Sequence, residues 1–264
     1  MNTPKTYPTD LCDEEWQLIM PYFPPPSREG RPRKYSSCQI VCAIFYLLRT
    51  GCQWEMLPAD LPKWKTVYHY YRLWRWSGLW QKIYEVLHQA YRIQEGREVT
   101  PTAAIIDSQS VKTTEAGGER GYDAGKKVNG RKRHLLVDTM GFPLVVKVHS
   151  ANIQDRDGAI EVLAKAQNKY EKLSLIWADG GYSGKLVEWT SEYLDLKLEI
   201  VKRSDNLKGF KVQPRRWVVE RTHAWIGRNR RMAKEYERLP ENSETNIYLA
   251  MIRLLLKRLT NPSP

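Results

Sequence analysis

Acidic residues are the minority in this chain: 30 Asp/Glu stand against 42 Lys/Arg among 264 residues, a formal net charge of +12. That deficit argues against a basic partner and for a polyanionic one, with nucleic acid the first candidate. Cysteine is scarce: Cys12, Cys38, Cys42 and Cys52 are the full set. They form no CxxC pair and no His pair follows them, so a zinc finger or ribbon is excluded. Cys38 and Cys42, four apart on an expected helix, read as packed thiols, which suits a reducing compartment. No apolar run approaches the roughly 18 residues a membrane span needs. The start, Met1-Asn2-Thr3-Pro4-Lys5, lacks the apolar core of a secretory signal. A cytoplasmic protein is therefore expected. There is no internal repeat and no low-complexity tract.

The length suffices for one large domain or two smaller ones. Phenylalanine is rare, but 10 Trp and 15 Tyr can fill the core. Charge is unevenly spread. Residues 1–96 hold 12 Lys/Arg against 9 Asp/Glu, whereas residues 201–238 hold 12 against 4. Basic density peaks around Glu220.

Apolar spacing divides the chain near residue 96. Leu11 to Phe23 reads as a helix stopped by Pro24-Pro25-Pro26. Ser36 or Ser37 can cap a second helix, with Ile40, Val41, Ile44, Leu47 and Leu48 as its stripe and Gly51 at its end. Helices over Thr66–Ser77 and Leu79–Ile93 complete a small all-α, helix-turn-helix-like domain, 1–96. Over 97–264 the pattern changes. Strands are expected at Ala103–Ile106, Arg133–Val137, Leu144–Val148, Leu173–Ala178 and Leu198–Val201. Helices are expected at Asp157–Lys169, Gly184–Leu194, Arg215 to about Tyr236, and 243–259. The first three strands, joined by short turns, must be antiparallel, and the later ones, joined through helices, parallel. This is the ribonuclease-H-like layout: an α/β fold with a mixed five-stranded sheet flanked by helices.

Three acids stand out. Asp107 and Asp179 end strand-like runs, in Ile105-Ile106-Asp107-Ser108 and Trp177-Ala178-Asp179-Gly180. Glu220 sits in the Arg/Trp-rich segment Trp217-Val218-Val219-Glu220-Arg221. A carboxylate facing a polyanion is repelled unless it holds a divalent cation that bridges to phosphate. Ends of neighbouring strands bring two such acids together, and a crossing helix can add the third. Two metal ions about 3.5–4 Å apart could then clamp an in-line phosphoryl displacement. Hard oxygen ligands favour Mg2+ or Mn2+. Asp138, in Leu135-Leu136-Val137-Asp138, also follows a strand, but Gly141 and Pro143 mark it as a hairpin residue. Asp155 and Asp157 read as helix-start residues. On the glutamate helix Arg216 lies one turn before Glu220, His223 one turn after, and Arg231 three turns after. Arg216 either pairs with Glu220, worth a few tenths of a kcal/mol, or contacts phosphate beside the site. Trp217 and Trp225 either pack in the core or stack on an unpaired base.

The ordered motifs Asp13-Glu14-Glu15-Trp16, Gly30-Arg31-Pro32-Arg33-Lys34-Tyr35, Tyr46-Leu47-Leu48-Arg49-Thr50-Gly51-Cys52-Gln53-Trp54, Ile106-Asp107-Ser108-Gln109-Ser110-Val111-Lys112, Gly130-Arg131-Lys132-Arg133-His134, Ala178-Asp179-Gly180-Gly181-Tyr182 and Trp217-Val218-Val219-Glu220-Arg221-Thr222 carry a resemblance. Together they resemble a DDE transposase of a bacterial insertion sequence, in the insertion-sequence 5-like group of the wider insertion-sequence 4-type superfamily. The resemblance implies Asp107, Asp179 and Glu220 as catalytic triad and metal ligands, and a helical domain ahead of a catalytic core. In the related pattern Tyr-x2-Arg-x3-Glu-x6-Lys, Arg216 and Glu220 match, while Gln213 and Gly227 replace the Tyr and Lys; Arg228 lies one position later.

The expected activity is metal-dependent DNA strand cleavage and strand transfer at element ends, by a homodimer on double-stranded DNA, with two Mg2+ or Mn2+ ions. Expected DNA contacts are Arg31, Arg33 and Lys34, in a segment suited to an A·T-rich minor groove. Arg72 and Arg75 join them on a recognition-helix candidate, with Lys112, Arg131, Lys132, Arg216, Arg228 and Arg231. The rival readings are a nuclease of the same fold without strand transfer and a catalytically silent DNA-binding protein.

Overall fold

The computed structural model describes residues 7–25, 32–201 and 217–261. Arg31 and Arg216 lie outside the described residues. Those described fall into two compact units.

The first unit is helical. α1 (Asp13–Ile19) precedes α2 (Ser37–Thr50), which Ser36 starts with a capping box. The Ser36 hydroxyl accepts from the Gln39 amide at 3.2 Å, and the Gln39 side chain accepts from the Ser36 amide at 2.9 Å. Gly51 ends α2 at φ 72°, where a Cβ would also lie 3.0 Å from that of Arg230. α3 (Trp64–Trp76) and α4 (Leu79–Gln94) follow. The abundant tryptophans serve this core: Phe23 lies edge-on to Trp74 and Trp80 at 4.8 and 6.0 Å.

Residues Arg228–Ala233 and the part of α8 (Pro240–Thr260) from Thr245 onward belong to this same unit. The sequence reading puts all of 97–264 in the second. The difference arises because α8 is apolar nearly all round between Ile247 and Leu256, most of it buried. Tyr248 packs on Tyr84 at 5.1 Å, and Tyr71 donates to Asn246 at 3.1 Å.

The second unit is built on a six-stranded sheet. Its elements are β1 (Ala103–Lys112), β2 (Gly121–Asp123), β3 (Val128–Asp138), β4 (Pro143–Ser150), α5 (Asp155–Lys169), β5 (Leu175–Ala178), α6 (Lys185–Leu194), β6 (Lys197–Ile200) and α7 (Trp217–Gly227). β1 pairs antiparallel with β3 on one edge and parallel with β5 on the other; β6 continues the parallel side. β4 and the short β2 share the far edge of β3. Three antiparallel strands joined to two parallel ones, with helices against the faces, make the ribonuclease-H-like α/β fold. The expected five strands are all present, and β2 is an addition. Asp138 closes the β3–β4 hairpin by accepting from the amides of Met140 and Phe142 at 3.0 and 2.9 Å.

Alternation assigns the faces of β1. Ala104 and Ile106 join Ala159, Val162, Leu163 and Leu186 in one core, so even-numbered residues face α5 and α6. Odd-numbered residues, Asp107 among them, face the other way. β1 does not end at Asp107 as the apolar run suggests: its pairing with β3 continues to Lys112 opposite Gly130. Nor does the glutamate helix run to Tyr236. Gly227 ends α7, and a single 3-10 turn over Arg230–Met232 follows. Among the described residues, no helix is long and apolar enough to cross a membrane.

Candidate active site

The parallel register of β1 and β5 is the scaffold of the site. Ala103, Ala104 and Ile105 stand opposite Leu175, Ile176 and Trp177. Carried on by two residues, the same register would set Asp107 level with Asp179. Asp179 still has extended backbone, with φ −86° and ψ 180°. Adjacent strands lie about 4.8 Å apart, and matching residues of a parallel pair point to the same face. The Asp179 carboxylate also accepts from the Gly181 amide at 2.8 Å, which fixes the turn that follows β5.

The hairpin between β3 and β4 anchors α7. Thr222 donates to the Gly141 carbonyl at 2.6 Å, and Arg221 to that of Met140 at 2.8 Å. The Arg221 guanidinium stacks on Trp217 and Trp225 at 4.5 and 4.7 Å. Trp225 is buried against Phe142, while Trp217 stays exposed, so each of the two readings of these tryptophans keeps one candidate. So anchored, α7 sets His223 Nε2 3.4 Å from Asp107 Oδ2. Glu220 lies one helical turn before His223 and is exposed. Both His223 nitrogens are buried without a hydrogen bond.

Tyr182 reports how the acids gather. Its hydroxyl is held well above the ordinary tyrosine range, first by burial and then by the charges of Asp107, Asp155 and Asp179. Asp155 is one that sequence reasoning missed. It is indeed the first residue of α5, but its Oδ1 accepts from Ser108 Oγ at 2.8 Å and pairs with Lys132 Nζ at 2.9 Å. Burial pushes the Asp155 carboxyl up, and the bonds from Lys132 and Ser108 more than reverse this, leaving it lowered. The sequence signal was available: an acid and a lysine on elements that both flank β1.

Oxygen donors are what a hard divalent cation takes. Asp107 within β1, Asp179 just past the end of β5 and Glu220 on α7 carry such oxygens, with the His223 ring beside Asp107. The donor set thus fits such a cation in kind. As the side chains stand, no three His, Cys, Asp or Glu residues among those described form a group that could hold one.

The candidate DNA contacts divide by burial. Arg131 is buried and donates to the carbonyls of Glu119, Glu237 and Arg238 at 2.7, 2.7 and 2.6 Å. Lys132 is buried between Asp155 and Asp123, at 2.9 and 3.6 Å. Arg231 is buried, donates to the Cys52 carbonyl at 3.1 Å and stacks on Trp54. These three are internal cations, which corrects the sequence reading. Both faces of β3 are covered from Gly130 to Asp138, so its basic residues have no solvent to turn to. Lys34, Arg72, Lys112 and Arg228 are exposed, and Arg33 and Arg75 half-buried. Arg72 stacks on Trp76 at 4.5 Å and Tyr68 at 5.7 Å, and Arg33 on Tyr70 at 4.7 Å.

An uncharacterised 16.2 kDa protein of insertion element IS402 from Burkholderia cepacia is 32% identical over 117 residues, 42% of this chain and 78% of its own length. A protein assigned as the IS402 transposase, also from Burkholderia cepacia, is 28% identical over 116 residues; these are 41% of this chain and 54% of that protein. The crystal structure of the Mos1 strand transfer complex aligns over 89% of this chain and 79% of that one, at 13% identity. Its TM-score of 0.30 gives the alignment no weight. A family model described for the IS4/5 family matches residues 11–84. The model described as transposase DDE domain matches residues 99–255, more than half of the chain. The chain belongs to the transposase DDE domain family, whose members are enzymes acting on DNA.

Proposed function

We propose that this transposase cuts phosphodiester bonds at the ends of an insertion sequence and joins the freed 3′-hydroxyl to target DNA. The reading assigns Asp107, Asp179 and Glu220 to hold two Mg2+ or Mn2+ ions. What supports it is the parallel β1–β5 register, paired as far as Ile105 opposite Trp177, together with the approach of α7 to β1 through His223, one turn from Glu220 and 3.4 Å from Asp107. Bound divalent cations would neutralise phosphate charge and activate the attacking water or hydroxyl in turn.

The chain's own groups do the rest. Asp107 sits within β1, where its backbone pairs with Leu135 of β3, and Asp179 directly follows β5. Glu220 is exposed at the helix surface. The anchoring of Thr222 and Arg221 keeps α7 from drifting off the sheet. The exposed Arg72 on α3 and Lys34 before α2 are placed to meet backbone phosphates, with the remaining exposed basic residues in the same role. Double-stranded DNA is the partner, a dimer on two ends the working form, and the cytoplasm the compartment.

Asp107→Asn tests the assignment. It keeps shape and removes the charge, so cleavage and joining should fall on the order of 1,000-fold, about 4 kcal/mol of barrier. Binding to element ends in EDTA should be unchanged. A variant that still nicks plasmid DNA in Mg2+ at the parental rate would remove Asp107 from the chemistry. Loss of binding along with cleavage would make it structural.

A further inference from the structure

We propose that Lys132 and Asp155 are a positioning pair for the acid site, acting through Ser108 on the strand that carries Asp107. The proposal rests on the reading of Asp107 and Asp179 as cation ligands. Its ground is a polar cluster on the face of β1 turned away from α7.

Lys132 Nζ is almost wholly buried, with two hydrogen-bonding partners and a second carboxylate close by. It pairs with Asp155 Oδ1 at 2.9 Å and Asp123 Oδ2 at 3.6 Å, and donates to the Ile153 carbonyl at 2.8 Å. Asp155 in turn receives the Ser108 hydroxyl. Lys126 closes the arrangement from the other side, donating to the Ser108 carbonyl at 3.0 Å. Ser108 is the residue after Asp107, so its side chain and carbonyl are fixed from two directions while Asp107 projects from the opposite face. The second Asp155 oxygen and the Asp179 carboxylate both border Gly181. A Cβ built on Gly181 would stand 3.5 Å from Asp155 Oδ2 and 3.0 Å from Asp179 Oδ1.

Two further buried groups turn toward this cluster. His149 Nδ1 lies 2.8 Å from the Ser150 carbonyl and so must donate to it. Its Nε2 then accepts from His134 Nδ1 at 2.7 Å. That leaves His134 Nε2 as a lone pair, without a hydrogen bond, 3.9 Å from Asp155 Oδ1. A bare nitrogen lone pair and a carboxylate repel unless a cation stands near both, and Lys132 is that cation. A buried ammonium bound to two acids is costly to dismantle. Its placement directly behind the Asp107 strand gives the cost a purpose: the negative charge beside Asp179 is held at one position and partly balanced from within.

Groups that orient metal ligands from behind typically set affinity by roughly 10–100-fold. The test is a Mn2+ titration of the full chain, followed by electron spin resonance, for the parent, Asp155→Asn, Ser108→Ala and Asp107→Asn. Asp155→Asn keeps the shape and removes only the charge, which makes it the primary variant; Ser108→Ala cuts the link without altering charge. Both should weaken Mn2+ binding about tenfold, with a cooperative melt retained and with cleavage recovering as Mn2+ is raised. Unchanged Mn2+ affinity in folded Asp155→Asn and Ser108→Ala, against a loss in Asp107→Asn, overturns the pair alone. A parent that binds no Mn2+, or an Asp107→Asn variant that binds it equally well, overturns the cation reading and the pair with it.

Discussion

Replacing Gly158 with alanine should reverse the usual sign of a helix substitution. Gly158 lies in the first turns of α5, where alanine is ordinarily better by about 1 kcal/mol. Here the added Cβ would fall 2.5 Å from His149 Nε2 and 2.6 Å from His134 Cε1. Neither ring can simply swing aside. His134 is fully buried, and the two rings are joined by a 2.7 Å hydrogen bond. Either α5 lifts off the sheet or that bond breaks. Overpacking costs about 1–3 kcal/mol, and a buried donor left without its acceptor a similar amount. After the helix gain is subtracted, either route leaves a net loss of up to about 2 kcal/mol. Urea unfolding by far-UV circular dichroism gives the total, and hydrogen exchange of the β3 and β4 amides shows whether the loss is local to the sheet. A midpoint equal to or above that of the parent would show that the histidine pair yields freely, and the account of a rigid cluster behind β1 would fail.

Acid should find the same cluster. His134 is held down to about 3, by burial first and by His149 second, against an ordinary 6.5. Below pH 6.5 the unfolded chain therefore takes up a proton that the folded chain refuses, so the stabilisation is complete above that pH and declines toward pH 3. From pH 7 to pH 5 the loss is about 2 kcal/mol, read as the difference in urea stability between the parent and His134→Asn at the two pH values. An identical pH dependence in both proteins would contradict it. Among the basic residues, Arg72→Ala should weaken binding to any duplex and lower the salt slope, log K against log salt, by about 1. Arg131→Gln should instead lower the urea midpoint and leave that slope untouched. The opposite pattern would mean that burial misleads about which cations meet DNA.

Much of the architecture is written locally. Val, Ile and Leu runs at 103–106, 133–137, 144–148 and 173–178 mark the strands because a sheet covered on both faces needs continuous apolar segments. Asp107 and Asp179 were legible because an acid at the end of such a segment breaks that requirement. What could not be read was how far β1 and β3 continue past their apolar parts. The extension of β1 from Asp107 to Lys112 is polar and becomes a strand only because β3 pairs with it along its whole length. The helix after Glu220 was overextended for the converse reason. Its period runs on past Gly227, but Arg231 turns inward to the Cys52 carbonyl instead of continuing the helix.

The same cause misplaced the cations. In a chain with a net charge of +12, Gly130-Arg131-Lys132-Arg133-His134 looks like a DNA-binding run. Yet this run passes straight into Leu135-Leu136-Val137, so it had to share that strand's burial. A strand covered on both faces keeps a charge by burying a partner beside it. The partners are present: Glu235 lies 3.2 Å from Arg133, and Asp155 2.9 Å from Lys132. Glu235 is distant in sequence, which is why the pairing is invisible before folding. Net charge therefore overstates the surface available to phosphate. Part of the excess is structural, and the part around Lys132 lies behind the strand that carries Asp107.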